Sequence, residues 1–302
     1  CMYEKDVVNV ARENGWFKGK DKDFDFQKAY NPYDFSGLRA CEARVWSFFR
    51  TFDKSMDKYK KHIMGDASEE PMPLYIIPDR KVSLADVREG MRNHYEGTEL
   101  SMTNDPGAGV YKVPYRWRPM TFKSEGREYF NERAIATQQT GFVLIAQMRS
   151  WLPDAVGGIL WFGVDDANTA VLTPMYASIT EIPECYRRGN GSMTEFSWTS
   201  AFWIHNWVAN MAYNRYEPMI RDIRPVQKEL EDSYVDLVKN TDAKALELLK
   251  SSPAQATAYL TEVCGKVANE ATARWKKLGE YLLVKYMDGN VKKEKDGKFE
   301  EN

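Results

Sequence analysis

The middle of the chain alternates between short hydrophobic runs and polar or turn residues. Short apolar runs bounded by turn signals are typical of largely buried β-strands. The connections between these runs are too short to contain a crossover helix, so we predict that they pair as one antiparallel sheet. Because the runs are continuous rather than alternating, cover on both faces of the sheet is expected. The predicted strands are Ala134–Ala136, Gly141–Ala146, Gly157–Phe162 and Ala170–Tyr176.

Apolar positions recur with helical spacing on both sides of these strands. Ser83 and Asp86 form a capping-box pattern at the start of one helix, and Ser252–Pro253 supplies an N-cap and a first-turn proline for another. A Trp198–Tyr216 helix has two apolar stripes, so it must be buried on more than one side. The predicted helices are Tyr3–Glu13, Leu38–Ile63, Ser83–Gly97, Trp198–Tyr216 and Ser252–Asp288.

A sheet flanked by helices on both sides in the sequence predicts a layered α+β protein. We divide the chain into helices and long loops at 1–128, antiparallel strands at 129–180, helices at 197–289 and a charged tail at 290–302. The tail is charged and balanced, so it is expected to be disordered unless a missing segment docks there.

Composition excludes several classes of function. The 302 residues include 42 basic and 44 acidic side chains without a basic block, so no nucleic-acid partner is expected. No apolar stretch reaches the roughly 18 residues that a membrane-spanning helix needs, so no membrane partner is expected. The four cysteines and three histidines lack metal-ligand spacing, so we expect neither a metal site nor a cofactor.

Some polar residues leave two interpretations open. Arg39 and Arg44 lie in the first turns of the predicted Leu38–Ile63 helix, where a cation opposes the helix dipole. Each could meet a substrate anion or form a solvated salt bridge to Glu42. His94 beside Glu96 could be catalytic, although a histidine near a helix end is more often a cap or packing residue.

Several sequence motifs resemble the bacterial N-terminal-nucleophile cysteine dipeptidases of the dipeptidase A type. They occur in the family's order over nearly the whole chain. They are Cys41–Trp46, Pro78–Arg80 leading into Ser83–Val87, His94–Thr98, Tyr115–Pro119, Asn131–Arg133, Ala136–Gly141, Gly158–Gly163 and Leu283–Gly289.

The resemblance implies a four-layer αββα sandwich of the N-terminal-nucleophile hydrolases with additional C-terminal helices. It implies that residues 1–302 are the C-terminal portion of a single peptidase domain. The family's nucleophile is a cysteine at the processed N-terminus, followed by threonine and a strand, whereas Cys1 is followed by Met2 and a predicted helix. Cys1 therefore resembles an internal position, although a terminal cysteine with a free amine is chemically a plausible nucleophile.

The resemblance thus predicts a cysteine-type dipeptidase whose nucleophile lies on a missing or separate N-terminal segment. Arg44 is the candidate catalytic residue and Arg39 the candidate substrate-binding residue, because related amidohydrolases keep an arginine near the nucleophile. Expected partners are a dipeptide substrate, the N-terminal portion of the same enzyme and a second copy in a homo-oligomer. A non-catalytic subunit, or an amidase of the bile-salt or penicillin type that uses Cys1, remains an alternative. Relatives with signal peptides make a periplasmic or secreted location compatible with the resemblance.

Overall fold

The computed structural model describes residues 3–116 and 121–300. The chain divides between Val82 and Ser83 into two compact units, called the first and second units below. Among the described residues, no helix is both long enough and apolar enough to cross a membrane.

The first unit consists of short helices joined by loops. The predicted opening helix is confirmed: it ends at Glu13, and Gly15 follows with a φ of +74°, a left-handed conformation that glycine adopts without strain. Its helices are α1 (Val7–Glu13), α2 (Phe26–Tyr30), α3 (Phe35–Gly37), α4 (Ala43–Arg50) and α5 (Lys60–Ile63).

The single long helix predicted over Leu38–Ile63 is wrong. Its first part is a π-helical turn, Leu38–Glu42, and α4 ends before Asp53, whose side chain accepts a hydrogen bond from Ser55 N. A π turn contains more residues than an α turn, so it rotates the following apolar stripe around the axis. Trp46 is therefore fully buried, whereas its neighbour Val45 is 40% exposed.

The second unit contains the three longest helices. Its helices are α6 (Leu84–Met91), α7 (Asp154–Gly157), α8 (Ala201–Asn214), α9 (Tyr216–Leu249) and α10 (Pro253–Tyr286). The capping box at Ser83 and Asp86 is present, but α6 ends at Met91 rather than at Gly97. The final helix is confirmed, and α9 was not predicted as one helix because Pro225 lies inside it.

The central sheet confirms the predicted antiparallel meander. Strands β3 (Phe142–Met148), β4 (Gly158–Val164) and β5 (Thr173–Tyr176) pair in the order β3-β4-β5. A separate hairpin, β1 (Thr121–Ser124) with β2 (Arg127–Phe130), precedes them in the chain.

The strand predicted at Ala134–Ala136 is absent from this described segment. Ala136 N instead donates to Asn93 O at 3.2 Å, and Tyr95 Oη donates to Arg133 O at 2.8 Å. These bonds fix the segment to the loop after α6, so its backbone groups are not available for a sheet ladder.

Only one face of the sheet is fully covered, which corrects the expectation of cover on both faces. Val143, Ile145 and Trp161 are buried in a core shared with residues of α8, α9 and α10. On the other side of β3, Phe142 and Met148 are 63% and 67% exposed.

The charged tail is partly ordered, contrary to expectation. Strands β6 (Lys293–Lys295) and β7 (Lys298–Glu300) form a short antiparallel hairpin. The turn places Asp296 and Gly297 at φ +52° and +75°, and an Asp-Gly pair favours such a turn.

Candidate functional site

The arginines singled out by sequence lie in the first unit, on and just after the π-helical turn. Arg39 lies within the turn; its Nη1 donates to Met64 O at 3.3 Å, and its guanidinium lies 5.8 Å from the Phe35 ring centroid. Single π turns inside helices occur frequently at functional sites. The turn therefore marks this segment as a candidate functional site.

Arg44 is held against its own helix. Its Nε donates to Ala40 O at 2.7 Å, and its Nη2 lies 3.9 Å from Cys41 Sγ. The side chain is half-buried, and within the described part of the chain it forms no ion pair with Glu42. For Arg44 the salt bridge to Glu42 is therefore absent among the described residues, and the catalytic assignment of Arg44 stays a prediction.

A cluster that the sequence did not indicate lies beside the π turn. His62 is 1% exposed, and its Nε2 lies 3.8 Å from Glu42 Oε2. Burial lowers the pKa of His62 and raises the pKa of Glu42. The Tyr33 ring packs edge-on against His62 at 4.9 Å between centroids, and burial, followed by the charge of Glu42, raises the Tyr33 pKa. Each group is thus shifted toward its neutral form.

The cysteines differ in their capacity to act as nucleophiles. Cys1 lies outside the described residues. Cys185 and Cys264 are buried, and burial raises the pKa of Cys264 to about 11. A thiol with a raised pKa forms little thiolate near neutral pH. Of the cysteines that the structure describes, Cys41 alone is exposed.

A polar cluster in the second unit occupies the end of the sheet where β4 leaves it. Asp165 follows β4 with a φ of +67°, unusual for a residue with a side chain, and its N donates to Gly141 O at 3.0 Å. Asn206 Nδ2 on α8 donates to Asp165 Oδ1 at 2.8 Å. Burial raises the pKa of Asp165 to about 7. A buried carboxyl with a raised pKa, on a residue with an unusual backbone conformation, is a physical marker of a functional site.

A series of amides leads to this carboxyl. Gln138 Nε2 donates to Asn210 Oδ1 at 2.8 Å, and Asn210 Nδ2 donates to Asn206 Oδ1 at 3.1 Å. Within the described residues, Asp165 Oδ2 and Gln138 Oε1 are buried and accept no hydrogen bond. We call Gln138, Asp165, Asn206 and Asn210 the sheet-end cluster; it contains two buried acceptors without a partner among the described residues and one carboxyl whose pKa is raised by burial.

His94 has a packing role. Its Nε2 lies 3.0 Å from Tyr213 Oη, and its Nδ1 lies 3.2 Å from Asn168 Nδ2. Tyr213 Oη in turn lies 3.1 Å from Asp166 Oδ1. Both ring nitrogens are therefore occupied, and the ring is fully buried. The arrangement supports the structural interpretation over the catalytic one.

The structure describes only part of the motif Tyr115–Pro119. Arg116 donates to Met102 O at 2.6 Å and to Val113 O at 2.8 Å, so it stabilises its own loop. Trp117 and Arg118 lie outside the described residues.

Comparison with known proteins places these features in one family. The family description "Peptidase family C69" matches residues 1–229. The chain belongs to peptidase family C69. The match includes the π turn and the sheet-end cluster. The turn overlaps the motif Cys41–Trp46, and Gln138 and Asp165 of the cluster lie in or near two other motifs that carried the resemblance.

Curated relatives are bacterial dipeptidases by name. The chain is 26% identical to "Probable dipeptidase B" of Lactococcus lactis subsp. lactis (strain IL1403) over 93% of this chain and 52% of that protein. It is 26% identical to "Probable dipeptidase" of Latilactobacillus sakei over 75% of this chain and 46% of that protein. It is 21% identical to "Dipeptidase A" of Lactobacillus helveticus over 63% of this chain and 33% of that protein. The chain thus spans about half the length of the first two of these relatives and about a third of the length of the last.

The sheet-end cluster was missed because its members are far apart in the sequence. Gln138 and Asp165 lie inside or just after the motifs Ala136–Gly141 and Gly158–Gly163, whereas Asn206 and Asn210 lie on a helix. A signal was nevertheless available. One of these motifs ends just before β3 begins and the other ends near the end of β4, and these two ends of an antiparallel strand pair must lie side by side.

Proposed function

We propose that the protein containing this chain is a cysteine-type dipeptidase whose nucleophile lies in the part of its relatives that this chain does not match. The observation that carries the proposal is the family match combined with relatives named dipeptidase, of which the chain covers about half or less. The buried Cys185 and Cys264 offer no reactive alternative.

The proposed reaction proceeds through a thioester. The thiolate sulfur bonds to the carbonyl carbon of the dipeptide, the C–N bond breaks, and the leaving amine takes a proton. Water then adds to the thioester, which releases the second amino acid and the thiol. The α-amino group of an N-terminal cysteine would move the proton between these steps, and hydrogen-bond donors would stabilise the oxyanion.

We assign substrate recognition in the second unit to the sheet-end cluster. A dipeptide has a cationic N-terminal ammonium, and Asp165 Oδ2 and Gln138 Oε1, which have no partner among the described residues but are closed to solvent in this chain, are acceptors that such a cation would need to reach. The amides of Asn206 and Asn210 hold these acceptors in place. Ionisation of Asp165 near its pKa of about 7 would then contribute to the pH dependence of substrate binding.

The incompletely covered sheet supports the proposed four-layer αββα sandwich. The exposed side chains of β3 lie on the same face of the sheet as Leu160 and Phe162 of β4, which line a cavity of about 660 Å³. Large contiguous apolar patches on soluble proteins usually mark an interaction surface. A second sheet, contributed by the segment missing from this chain, would cover that face and complete the sandwich.

The experiment is an assay of the purified chain on a panel of dipeptides, alone and after co-expression with the remaining segment of a relative. We expect no hydrolysis by the chain alone and hydrolysis by the two-part protein. An intact-mass measurement of native material tests for the second polypeptide. Dipeptidase activity of the chain alone that is lost in Cys1→Ala would contradict the proposal and identify Cys1 as the nucleophile. Cleavage of penicillin or bile-salt amides in preference to dipeptides would assign the amidase alternative.

The role of Arg44 can be tested in the active two-part protein. If its guanidinium binds an anion through two donors, Arg44→Lys should lower kcat/KM at least ~tenfold, or about 1.4 kcal/mol, because lysine presents only a point charge. Thermal stability should change little, since the ammonium can still reach backbone carbonyls. Arg39→Lys is the matched variant on the same segment. Normal activity in Arg44→Lys together with a defect in Arg39→Lys would transfer the role to Arg39.

A further inference from the structure

An apolar cavity in the second unit lies between the sheet and the loop that precedes α8. Its volume of about 660 Å³ is within the roughly 300–1,000 Å³ found for small-molecule sites. Leu160, Phe162 and Met175 line it from the incompletely covered face of β4 and β5. Ile179 and Ile182 line it from the segment after β5. The described lining includes no residue of β3, so the cavity is distinct from the exposed β3 side chains assigned above to a second sheet.

The cavity is cationic as well as apolar. Among the described residues, its lining contains Arg187 and Arg188 and no acidic side chain. Arg187 is paired, because its Nη1 lies 3.2 Å from Glu184 Oε2. Arg188 is exposed, and its side chain forms neither an ion pair nor a hydrogen bond with any described residue. One accessible cation at the cavity is therefore uncompensated.

The cavity also includes the start of α8. Ser200 is the N-cap residue of this helix and lines the cavity. Ser200 is 6% exposed, and within the described residues its hydroxyl makes no cap hydrogen bond and has no other partner. Its Oγ is nevertheless not closed to solvent, unlike the unpartnered acceptors of the sheet-end cluster. A hydrogen-bond donor inside the cavity is thus available to a ligand.

The helix start adds further donors to the same place. The first N–H groups of a helix have no intrahelical partner, and they carry the positive end of the helix dipole. The first turn of α8 contains no acidic residue that would meet them. Phe202 and Trp203 of this turn also line the cavity. An anion in the cavity can therefore approach this end of the helix.

A hydrogen bond brings the loop cation and the helix start to one side of the cavity. Asn190, two residues after Arg188, accepts at Oδ1 from Thr199 Oγ1 at 2.9 Å. Thr199 is the residue before Ser200. Arg188 and Ser200 are thus held near each other, at the polar end of a cavity whose floor is apolar.

We propose that this cavity binds a small carboxylate with an apolar body, such as a medium-chain fatty acid. The carboxylate would accept hydrogen bonds from Ser200 Oγ and the first N–H groups of α8 and would pair with Arg188. The apolar body would be removed from water against Leu160 and Phe162. A single unpaired cation favours a single negative charge, and a free amino acid is disfavoured because its ammonium would meet no acidic residue. The inference rests on the second unit alone and is independent of the proposed peptidase activity.

The test is isothermal titration calorimetry of the full chain with octanoate, 1-octanol and acetate at matched ionic strength. We expect saturable binding of octanoate, at least ~tenfold tighter than that of octanol, which lacks the charge, or of acetate, which lacks the apolar body. Octyl phosphate presents the same body with a head group of higher charge. Absence of octanoate binding, equally tight binding of octanol or tighter binding of octyl phosphate would each overturn the carboxylate assignment.

Variants separate the polar end of the cavity from the apolar end. Arg188→Gln and Ser200→Ala should each raise the Kd of octanoate at least ~threefold and leave octanol binding unchanged, because each removes a partner of the carboxylate. Ser200→Ala should leave Tm unchanged, because the Ser200 hydroxyl makes no cap bond. Ile182→Ser should weaken octanoate and octanol alike, and the protein should still fold because Ile182 is 59% exposed.

Arg221→Gln on α9 is the matched control. The Arg221 side chain is 72% exposed, is paired with Glu217 and lies outside the lining of the cavity. This variant should keep the full affinity for octanoate. A loss in Arg221→Gln equal to that in Arg188→Gln would show an effect of net charge and refute the site. Unchanged octanoate binding in both Arg188→Gln and Ser200→Ala would also refute it.

Discussion

The two faces of the central sheet have similar composition but different environments. On the covered face, Ile159 and Trp161 are at most 2% exposed. On the other, Leu144 and Phe142 of β3 are 43% and 63% exposed. Successive side chains of a strand point to opposite faces, so the same strands encode two apolar surfaces. The covered face stabilises this chain, whereas the other leaves apolar side chains of β3 exposed to solvent.

Truncation of one aliphatic residue on each face tests this difference most strongly. Ile159→Ala should lower the free energy of unfolding of the second unit by about 2–5 kcal/mol, since it leaves a cavity in a packed core. Leu144→Ala should cost less than about 1 kcal/mol, because water already reaches that side chain. Urea unfolding followed by tryptophan fluorescence measures both. Equal losses in the two variants would show that the two faces are equally buried.

The side of the sheet that carries α8 also contains titratable groups, which sharpen the comparison through pH. His205 is 3% exposed and stacks on Trp275, and burial lowers its pKa to about 4. The unfolded ring binds its proton near pH 6.5, so the unfolded state holds more protons between about pH 4 and 6.5. Stability should therefore decrease as the pH falls through that window, by up to about 3 kcal/mol.

Asp165 acts in the opposite direction. Its pKa is raised from 3.8 to about 7, so its stabilising contribution is complete below pH 3.8 and is lost as the pH rises through 7. We expect His205→Gln to flatten the loss of stability in acid and Asp165→Asn to flatten the loss toward neutral pH. Chemical unfolding across this pH range provides the measurement. Parallel pH profiles for wild type and both variants would contradict these assignments.

The smallest expected effect on stability concerns the exposed face. The double variant Phe142→Ser and Met148→Ser should change the free energy of unfolding by less than about 0.5 kcal/mol per site. It should nevertheless reduce binding of a hydrophobic dye such as ANS. It should also impair assembly with the co-expressed segment of a relative that we propose completes the sandwich. Val110→Ser is the control, because Val110 is 84% exposed but lies outside the sheet. Equal loss of dye binding in the control would show that the dye does not report on this face.

The sequence predicted the elements that local patterns determine. The strands at 142–148, 158–164 and 173–176 follow from their apolar runs, and α10 follows from its Ser252 cap and helical spacing. The Asp296–Gly297 pair is also a hairpin signal, but the charged residues around it led us to predict disorder there.

Other features depend on information that is not local. The π turn at Leu38–Glu42 adds a residue to the helical repeat, and no residue type there marks it. The segment at Ala134–Ala136 resembles a strand but forms hydrogen bonds to a distant loop. In the sheet-end cluster, Asp165 appears as an ordinary turn residue until the fold surrounds it with Asn206 and the amides beyond it.

The pairing of α9 with α10 has a consequence for how the chain acquires its structure. These helices contain 34 residues each and are joined by only residues 250–252, so their mutual contacts are close in sequence near the connection. Contacts of low sequence separation form quickly, because little loop entropy is lost in closing them. Helices also elongate faster than β-hairpins form, so the helical hairpin should appear before the strand pairing and offer β5 an apolar surface to pack on. Early docking of the strands would shorten the time during which their edges can pair with other molecules.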